Sequence, residues 1–373
     1  MINTYTSYQI ITRDMSKSMQ RVENQPLVKR DTEYFLENIG KVKTAEEFVD
    51  NYRLFNYAMK AFGLQDMAYA KAFMLKALNE GVSDPESFAN KMTDKRYAEF
   101  VSAFNFADRG ESATSYNVAR DATMDNYIAR ATGNGAFPQT KTVIEETAYF
   151  TENIGQVESI DDLLDDERML TYALRAFRLE EADLRRAELF EILSGGVSDP
   201  DSPANTHRDP NVAKFATAFN FAELGESTTS YVQAQQETVS FYMRQTLEED
   251  AGNQNEGVRL ALYFERKASE ITSFFEILGD QALAQVLRTS LGMPDALAQA
   301  DLDKQVAMFE ERIDIKDFSN PEELKKFLTR FTTMWEIGNP STSTPSLAVA
   351  LMSPQTEFGI SMDTMMAIAT MKR

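Results

Sequence analysis

One histidine stands in the 373 residues, His207. Proton transfer near neutral pH favours imidazole, so a general acid–base site would centre on it. It lies in Pro203-Ala204-Asn205-Thr206-His207-Arg208-Asp209-Pro210, a polar turn in which spacing assigns no serine or aspartate partner. That pattern reads as a surface-loop histidine. Carboxylates are the other candidates, in the runs Asp161-Asp162, Asp165-Asp166-Glu167, Glu248-Glu249-Asp250 and Glu310-Glu311. A calcium loop alternates oxygen ligands around a central glycine and closes on glutamate; none of these runs does. A Glu-x-x-His metal pair needs more than one histidine. The runs read as solvated helix faces. The chain has no cysteine, which removes thiolate nucleophiles, thiolate metal sites and disulfides together. Phosphate-loop, nucleophile-elbow and dinucleotide signatures are missing as well. The expectation is no catalytic residue, no cofactor and no metal, in a non-enzymatic chain. A carboxylate-based enzyme working in a cleft between modules is the alternative left open.

The formal charge is −20. Such a chain repels phosphate backbones and anionic membrane surfaces, so the expected partner is a protein, not nucleic acid. No stretch approaches eighteen uninterrupted apolar residues, which predicts no membrane insertion. The start, Met1-Ile2-Asn3-Thr4-Tyr5-Thr6, has neither a basic region nor an apolar core, unlike a secretory signal. The expected location is the cytoplasm, or a place reached by a signal-less export route. Hydrophobic residues make up 43%, enough for proper cores.

The elements that would position any site come in repeats. Tyr34-Phe35 with Glu37-Asn38-Ile39-Gly40 returns as Tyr149-Phe150 with Glu152-Asn153-Ile154-Gly155. Gly81-Val82-Ser83-Asp84-Pro85 returns as Gly196-Val197-Ser198-Asp199-Pro200, and Phe104-Asn105-Phe106 as Phe219-Asn220-Phe221. Each pair is 115 residues apart, so the copies align without an insertion. A third, eroded copy carries Tyr263-Phe264, Leu291-Gly292-Met293 and Ser319-Asn320-Pro321-Glu322. Thr-Ser-Tyr or its equivalent opens each copy, at Thr6, Thr114 and Thr229. The modules are then 6–113, 114–228 and 229–341, with a tail at 342–373.

Inside a module the signals are helical. Thr44-x-x-Glu47 is a capping box, echoed by Ser159-x-x-Asp162 and Ser273-x-x-Glu276. Phe48, Phe55, Ala58 and Phe62 form an apolar stripe. A helix is expected from about Asp66 to Asn79, ending at Gly81, and a fresh start at Asp84-Pro85-Glu86. Another is expected from about Ser115 to Ala131. Gly133 to Pro138 and Gly252-Asn253-Gln254-Asn255 read as loops. No period-two run appears, so the chain is read as all-α, built of tandem helical repeats. Asn38 and Asn105, the specific polar residues of the repeat, read as backbone-capping groups with partner contact as the alternative. Methionine is adaptable at contact surfaces, and of 18 several crowd the tail. Met352, Met362, Met365 and Met366 are therefore the candidate partner-binding residues, on a helix that either packs back onto module three or docks in a partner's groove.

Thr4-Tyr5-x-Ser7-Tyr8, Ile11-Thr12-Arg13-Asp14, Tyr57-Ala58-Met59-Lys60-Ala61-Phe62-Gly63 and the two motifs at Tyr34 and Gly81 carry a resemblance to the bacterial domain-of-unknown-function family 1217. It covers the first two copies well and the third loosely. The resemblance implies tandem domains and, through gene neighbourhood in alphaproteobacteria, an association with flagellar assembly or motility. It implies no catalytic residue. The expected function is a helical interaction protein with a flagellar partner; an exported structural part of the flagellum is the alternative.

Overall fold

The computed structural model describes residues 3–131, 141–182 and 184–339. Every regular element among them is helical. Three bodies follow the repeat. Body 1 (residues 26–113) begins with Pro26–Ile39, body 2 (141–228) with Lys141–Asn153, and body 3 (256–338) with Glu256–Lys267. In each, a first helix is followed by a short capped helix and a ten-residue amphipathic one. Those ten-residue helices are Tyr52–Ala61, Glu167–Ala176 and Gln281–Ser290. The three end alike: Leu64 N–H donates to the Met59 carbonyl (2.7 Å), Leu179 to Leu174 (2.8 Å) and Met293 to Arg288 (2.9 Å). This is the 6→1 bond of a Schellman end, which needs a left-handed residue. Gly63 and Gly292 supply it at φ 67° and 65°, while Arg178 is held there at φ 62°.

The caps act as the residue types demand. Ser159 and Asp162 complete a capping box. Thr44 and Ser273 accept from the N–H of Glu47 and Glu276, but the glutamates reach one residue further back, to Lys43 N–H and Thr272 N–H. Phe48, Phe55, Ala58 and Phe62 are all buried. Their stripe crosses a helix break at Asn51, whose side chain caps the second helix through Leu54 N–H.

Other expectations are corrected. The helix from Asp66 to Asn79 is a short 3₁₀ turn, Gln65–Met67, followed by Lys71–Glu80. Asp84-Pro85-Glu86 opens a turn, with Asp84 Oδ1 accepting from Glu86 N–H, and regular helix resumes only at Arg96–Ala103. The helix from Ser115 begins as extended chain, passes a wide π turn at Val118–Ala122 and becomes α-helical at Thr123–Ala131. Gly252-Asn253-Gln254 is no loop: it ends the long helix Gln233–Gln254. A Cβ on Gly252 would lie 2.8 Å from Arg259 Cδ, and one on Gly257 only 2.3 Å from the Trp335 ring. Gly252 permits close approach within a helical hairpin turning at Asn255, and Gly257 lets Trp335 of helix Pro321–Gly338 lie against the hairpin's second arm. The loop expected at Gly133 to Pro138 lies outside the described residues, as does the tail.

Packing crosses the order of the sequence. Helix Thr123–Ala131 lies on body 2, which follows it, and Tyr127 stacks on Tyr172 at 3.9 Å. Body 1 receives the matching helix from far away. Tyr242 of the long helix, 115 residues beyond Tyr127, stacks on Tyr57 at 3.9 Å. Val232, Ala234, Tyr242, Met243 and Leu247 thereby belong to the core of body 1. In return, the first helix of the chain, Thr4–Thr12, packs on body 3 and places Tyr8 in its core. Thr4 is tied to Glu336 and Asn255. Bodies 1 and 3 therefore form one composite unit, with body 2 inserted between its halves. Two side-by-side crossovers join them. Thr114 Oγ1 donates to the Val42 carbonyl (3.0 Å) and Thr229 Oγ1 to the Val157 carbonyl (2.9 Å). Asn117 Nδ2 donates across to the Thr228 and Tyr231 carbonyls, and Gln235 Nε2 to that of Thr114.

Trp335, the one tryptophan, is buried against Gly257. Gly257→Ala is expected to cost about 1–3 kcal/mol through overpacking and to red-shift the emission of Trp335. Denaturant unfolding followed by fluorescence measures both; unchanged emission and stability would contradict the contact.

Candidate functional site

His207 sits where the spacing placed it, in a turn, its Nδ1 accepting from Asp209 N–H at 3.0 Å. Asn38 and Asn105 satisfy backbone. Asn38 Nδ2 donates to the Tyr34 carbonyl, and Asn105 caps Phe106–Arg109 by accepting from Asp108 N–H. Of the acidic runs, Asp161 and Asp165 both pair with Arg186. Asp166 caps the next helix and accepts from the Tyr149 hydroxyl at 2.8 Å. The run at Glu248 is a correction. Glu248 is 1% exposed, held between Arg244 and Arg266, because the long helix is covered by body 3 on that face. Met352, Met362, Met365 and Met366 lie outside the described residues. Among the described residues, no group of three or more His, Cys, Asp or Glu is placed to hold a metal ion, and no helix is long and apolar enough to cross a membrane.

Two concave sites emerge instead. The first is a cavity of about 120 Å³ between bodies 1 and 3, lined by Asp94, Arg96, Glu99, Tyr263, Lys267 and Asp280. Its charges are paired with one another. Asp94 binds Arg96 at 2.7 Å, Lys267 binds both Glu99 and Glu270, and the Tyr263 hydroxyl donates to Asp280 at 2.5 Å. Arg96 also donates to the Gly63 carbonyl. Burial, with Asp280 alongside, pushes the Tyr263 phenol upward. With Arg96, Lys267 and Tyr263 each engaged by an acid, the cavity is a polar contact between bodies 1 and 3.

The second site occurs twice. On body 1 a cleft of about 320 Å³ is lined by Asp31, Arg53, Asn56, Tyr57, Lys60 and Tyr242. On body 2 a cleft of about 380 Å³ is lined by Glu146, Arg168, Thr171, Tyr172, Arg175 and Tyr127. The residues correspond one to one at the repeat spacing of 115. Arg53 pairs with Asp31 at 2.9 Å and lies 3.8 Å over the Tyr34 ring. Arg168 pairs with Glu146 at 3.0 Å and lies 3.9 Å over Tyr149. Beneath each cleft runs a stack of three rings: Phe35, Tyr57 and Tyr242 in body 1, and Phe150, Tyr172 and Tyr127 in body 2. The Tyr57 hydroxyl meets Thr32 Oγ1 at 2.9 Å and that of Tyr172 meets Thr147 Oγ1 at 3.1 Å. Burial pushes the Tyr172 and Tyr242 phenols up to about 12 and Tyr57 further, so all three stay neutral. Body 3 differs: at the matching positions it carries Leu260, Ala282, Val286 and Thr289, and Leu260 and Val286 are fully buried.

The clefts were written in the sequence as charge pairs 22 residues apart in both copies, but not as identical letters. Asp31 and Glu146, or Lys60 and Arg175, match in charge only. Tyr242, from another module, has no sequence signal marking it as a wall of the first cleft.

A search among curated proteins gave no match. The solved structure of protein AGR_C_984 from Agrobacterium tumefaciens is similar: 35% identical, covering 90% of this chain and 94% of that one, with a TM-score of 0.52. The profile described as "Protein of unknown function (DUF1217)" matches residues 61–182 and 176–324, in keeping with tandem copies. This chain belongs to the DUF1217 family.

Proposed function

We propose that the chain is a non-enzymatic interaction protein of flagellar assembly or motility, gripping a protein partner through the paired clefts of bodies 1 and 2. The observation that supports this is the duplication of a surface feature the fold does not require. Body 3 builds the same helices with uncharged residues, Leu260, Ala282, Val286 and Thr289, at those positions, so Arg53, Lys60, Arg168 and Arg175 are not needed to make the body. Arginine beside an exposed tyrosine is the composition of a protein-contact surface, and Tyr52 at the rim of the first cleft is 76% exposed. Two equal sites on one chain suit a partner that presents the same surface repeatedly, as a polymer of identical subunits does. Linking the sites makes the second contact intramolecular and raises avidity without new chemistry. The motility association comes from the family resemblance.

The test is affinity capture of the tagged full-length chain from motile cells, beside a variant carrying Arg53→Glu and Arg168→Glu. A flagellar component should be recovered, and the double variant should lower its yield by about tenfold or more, since both sites are lost. Recovery of no flagellar component, with normal swimming of a deletion strain, would overturn the reading. Fractionation separates action in the cytoplasm from action after signal-less export.

A further inference from the structure

We propose that two copies of this chain exchange their C-terminal halves, residues 233–339, to form a reciprocal dimer. The inference is independent of the flagellar reading. It rests on how the composite unit is closed. Body 1 is completed by a helix that reaches it only after the chain has left, built body 2 and returned. That helix sits in the register body 2 uses for its own, with Tyr242 on Tyr57 as Tyr127 sits on Tyr172. The core of body 2, among the described residues, draws only on positions 119–221, so the inserted body folds without either half. The returning half is itself one piece. The long helix and body 3 are joined by the hairpin at Asn255 and by the buried contact of Arg266 with Glu248.

What holds this piece to the N-terminal half is non-covalent: the Tyr57–Tyr242 stack, Lys60 with Glu249, Glu99 with Lys267, Gln25 with Asp250, and Thr4 with Glu336. A second copy offers the same surface and can restore each of these contacts. Only the hinge differs, at Ser230 to Val232, where Val232 is extended at φ −119° and ψ 111°. Exchange of identical elements is a low-cost route to dimers for this reason. The balance is then set by protein concentration against the effective concentration that the crossover imposes.

The absence of native cysteine makes the test direct. Gln25 Nε2 and Asp250 Oδ2 are 2.7 Å apart across the exchanged interface. Cysteine is shorter than either side chain, so the pair is bridged by a flexible bis-maleimide of roughly 10 Å and not by a disulfide. A chain with both Gln25→Cys and Asp250→Cys should cross-link within itself through it, which confirms folding and geometry. Two chains, one Gln25→Cys and the other Asp250→Cys, are then mixed in denaturant, refolded together and treated with the same bis-maleimide. A covalent product of the two chains is expected, with a yield that rises several-fold with refolding concentration. The control pair Arg130→Cys and Glu180→Cys lies within the unexchanged module and should give background yield. Light scattering of the unmodified chain refolded at near-millimolar concentration should show twice the chain mass. A mixed product no greater than the control, or a ladder of larger species, would overturn the reciprocal dimer.

Discussion

Glu248→Ala is expected to destabilise the composite unit by about 3–5 kcal/mol, the scale for breaking a buried ion pair from one side. Glu248 exposes 2% of its side chain, and its two arginine partners 14% and 20%. Arg266 donates twice, from Nε at 2.8 Å and Nη2 at 2.9 Å, and Arg244 once at 3.1 Å. Removing the carboxylate leaves two guanidiniums close together with little water, Glu265, 3.8 Å from Arg244 Nη2, being the carboxylate that remains beside them. Arg244 has further holds, on the Leu262 carbonyl at 3.1 Å and the Met15 sulfur at 2.7 Å, so it cannot swing out without loosening the second helix of the chain, Met15–Glu23. Glu248→Gln keeps the shape and part of the bonding and should cost less, about 1.5–3 kcal/mol. Asp161→Ala, which breaks an exposed contact with Arg186, should fall within about 1 kcal/mol. Urea unfolding monitored through Trp335 measures all three. A loss under about 1 kcal/mol for Glu248→Ala would mean that water reaches the arginines.

Gly81→Ala and Gly196→Ala should each cost about 2–6 kcal/mol, from two additive causes. The first is backbone: Gly81 has φ 72° and ψ −162°, Gly196 φ 61° and ψ −158°, a region essentially confined to glycine at a penalty of about 1–3 kcal/mol. The second is space. An added Cβ would stand 2.7 Å from Ala107 Cβ in one body and 2.6 Å from Ala222 Cβ in the other, and overpacking costs about 1–3 kcal/mol more. Gly110→Ala separates the two, because φ is 52° there and nothing lies within 4 Å. Ala107→Gly in the Gly81→Ala background should recover the spatial part alone. The variants also differ in what they unfold. Gly196→Ala strikes the inserted body and should leave the Trp335 transition in place; Gly81→Ala should move it. Equal effects on Trp335 would show that the unit and its insert melt together.

The repeat made these glycines legible. A motif kept twice, Gly-Val-Ser-Asp-Pro, marked a place where backbone geometry rules, and the structure puts positive φ at its glycine both times. Helix existence was legible for the same reason: Ser159, Thr44 and Ser273 announced their helices by hydroxyl and carboxylate at fixed spacing. Gly252 misled. A glycine admitted so that Arg259 can lie close looks, in one dimension, like a loop glycine, and its cost in a helix is only about 1 kcal/mol. The break at Asn51 was hidden because the apolar stripe stays in phase across it. The burial of Glu248 was invisible for a different reason. Its neighbours Glu249 and Asp250 face other surroundings, and charge composition along a run carries no information about which face a distant body will cover. The shared cleft positions needed alignment by charge, and the exchanged helix needed coordinates.

The return of residues 233–254 to body 1 has a temporal consequence. During synthesis the first body emerges with an uncovered groove and waits for more than a hundred further residues, while the insert can fold at once on contacts close in sequence. Proteins governed by distant contacts acquire structure slowly, since loop closure must be met before the contacts reward it, and nascent chains with apolar surface still bare are prone to misassembly. The order of maturation is therefore middle first and ends last, with the earliest-made helix, Thr4–Thr12, docking onto the last-made body.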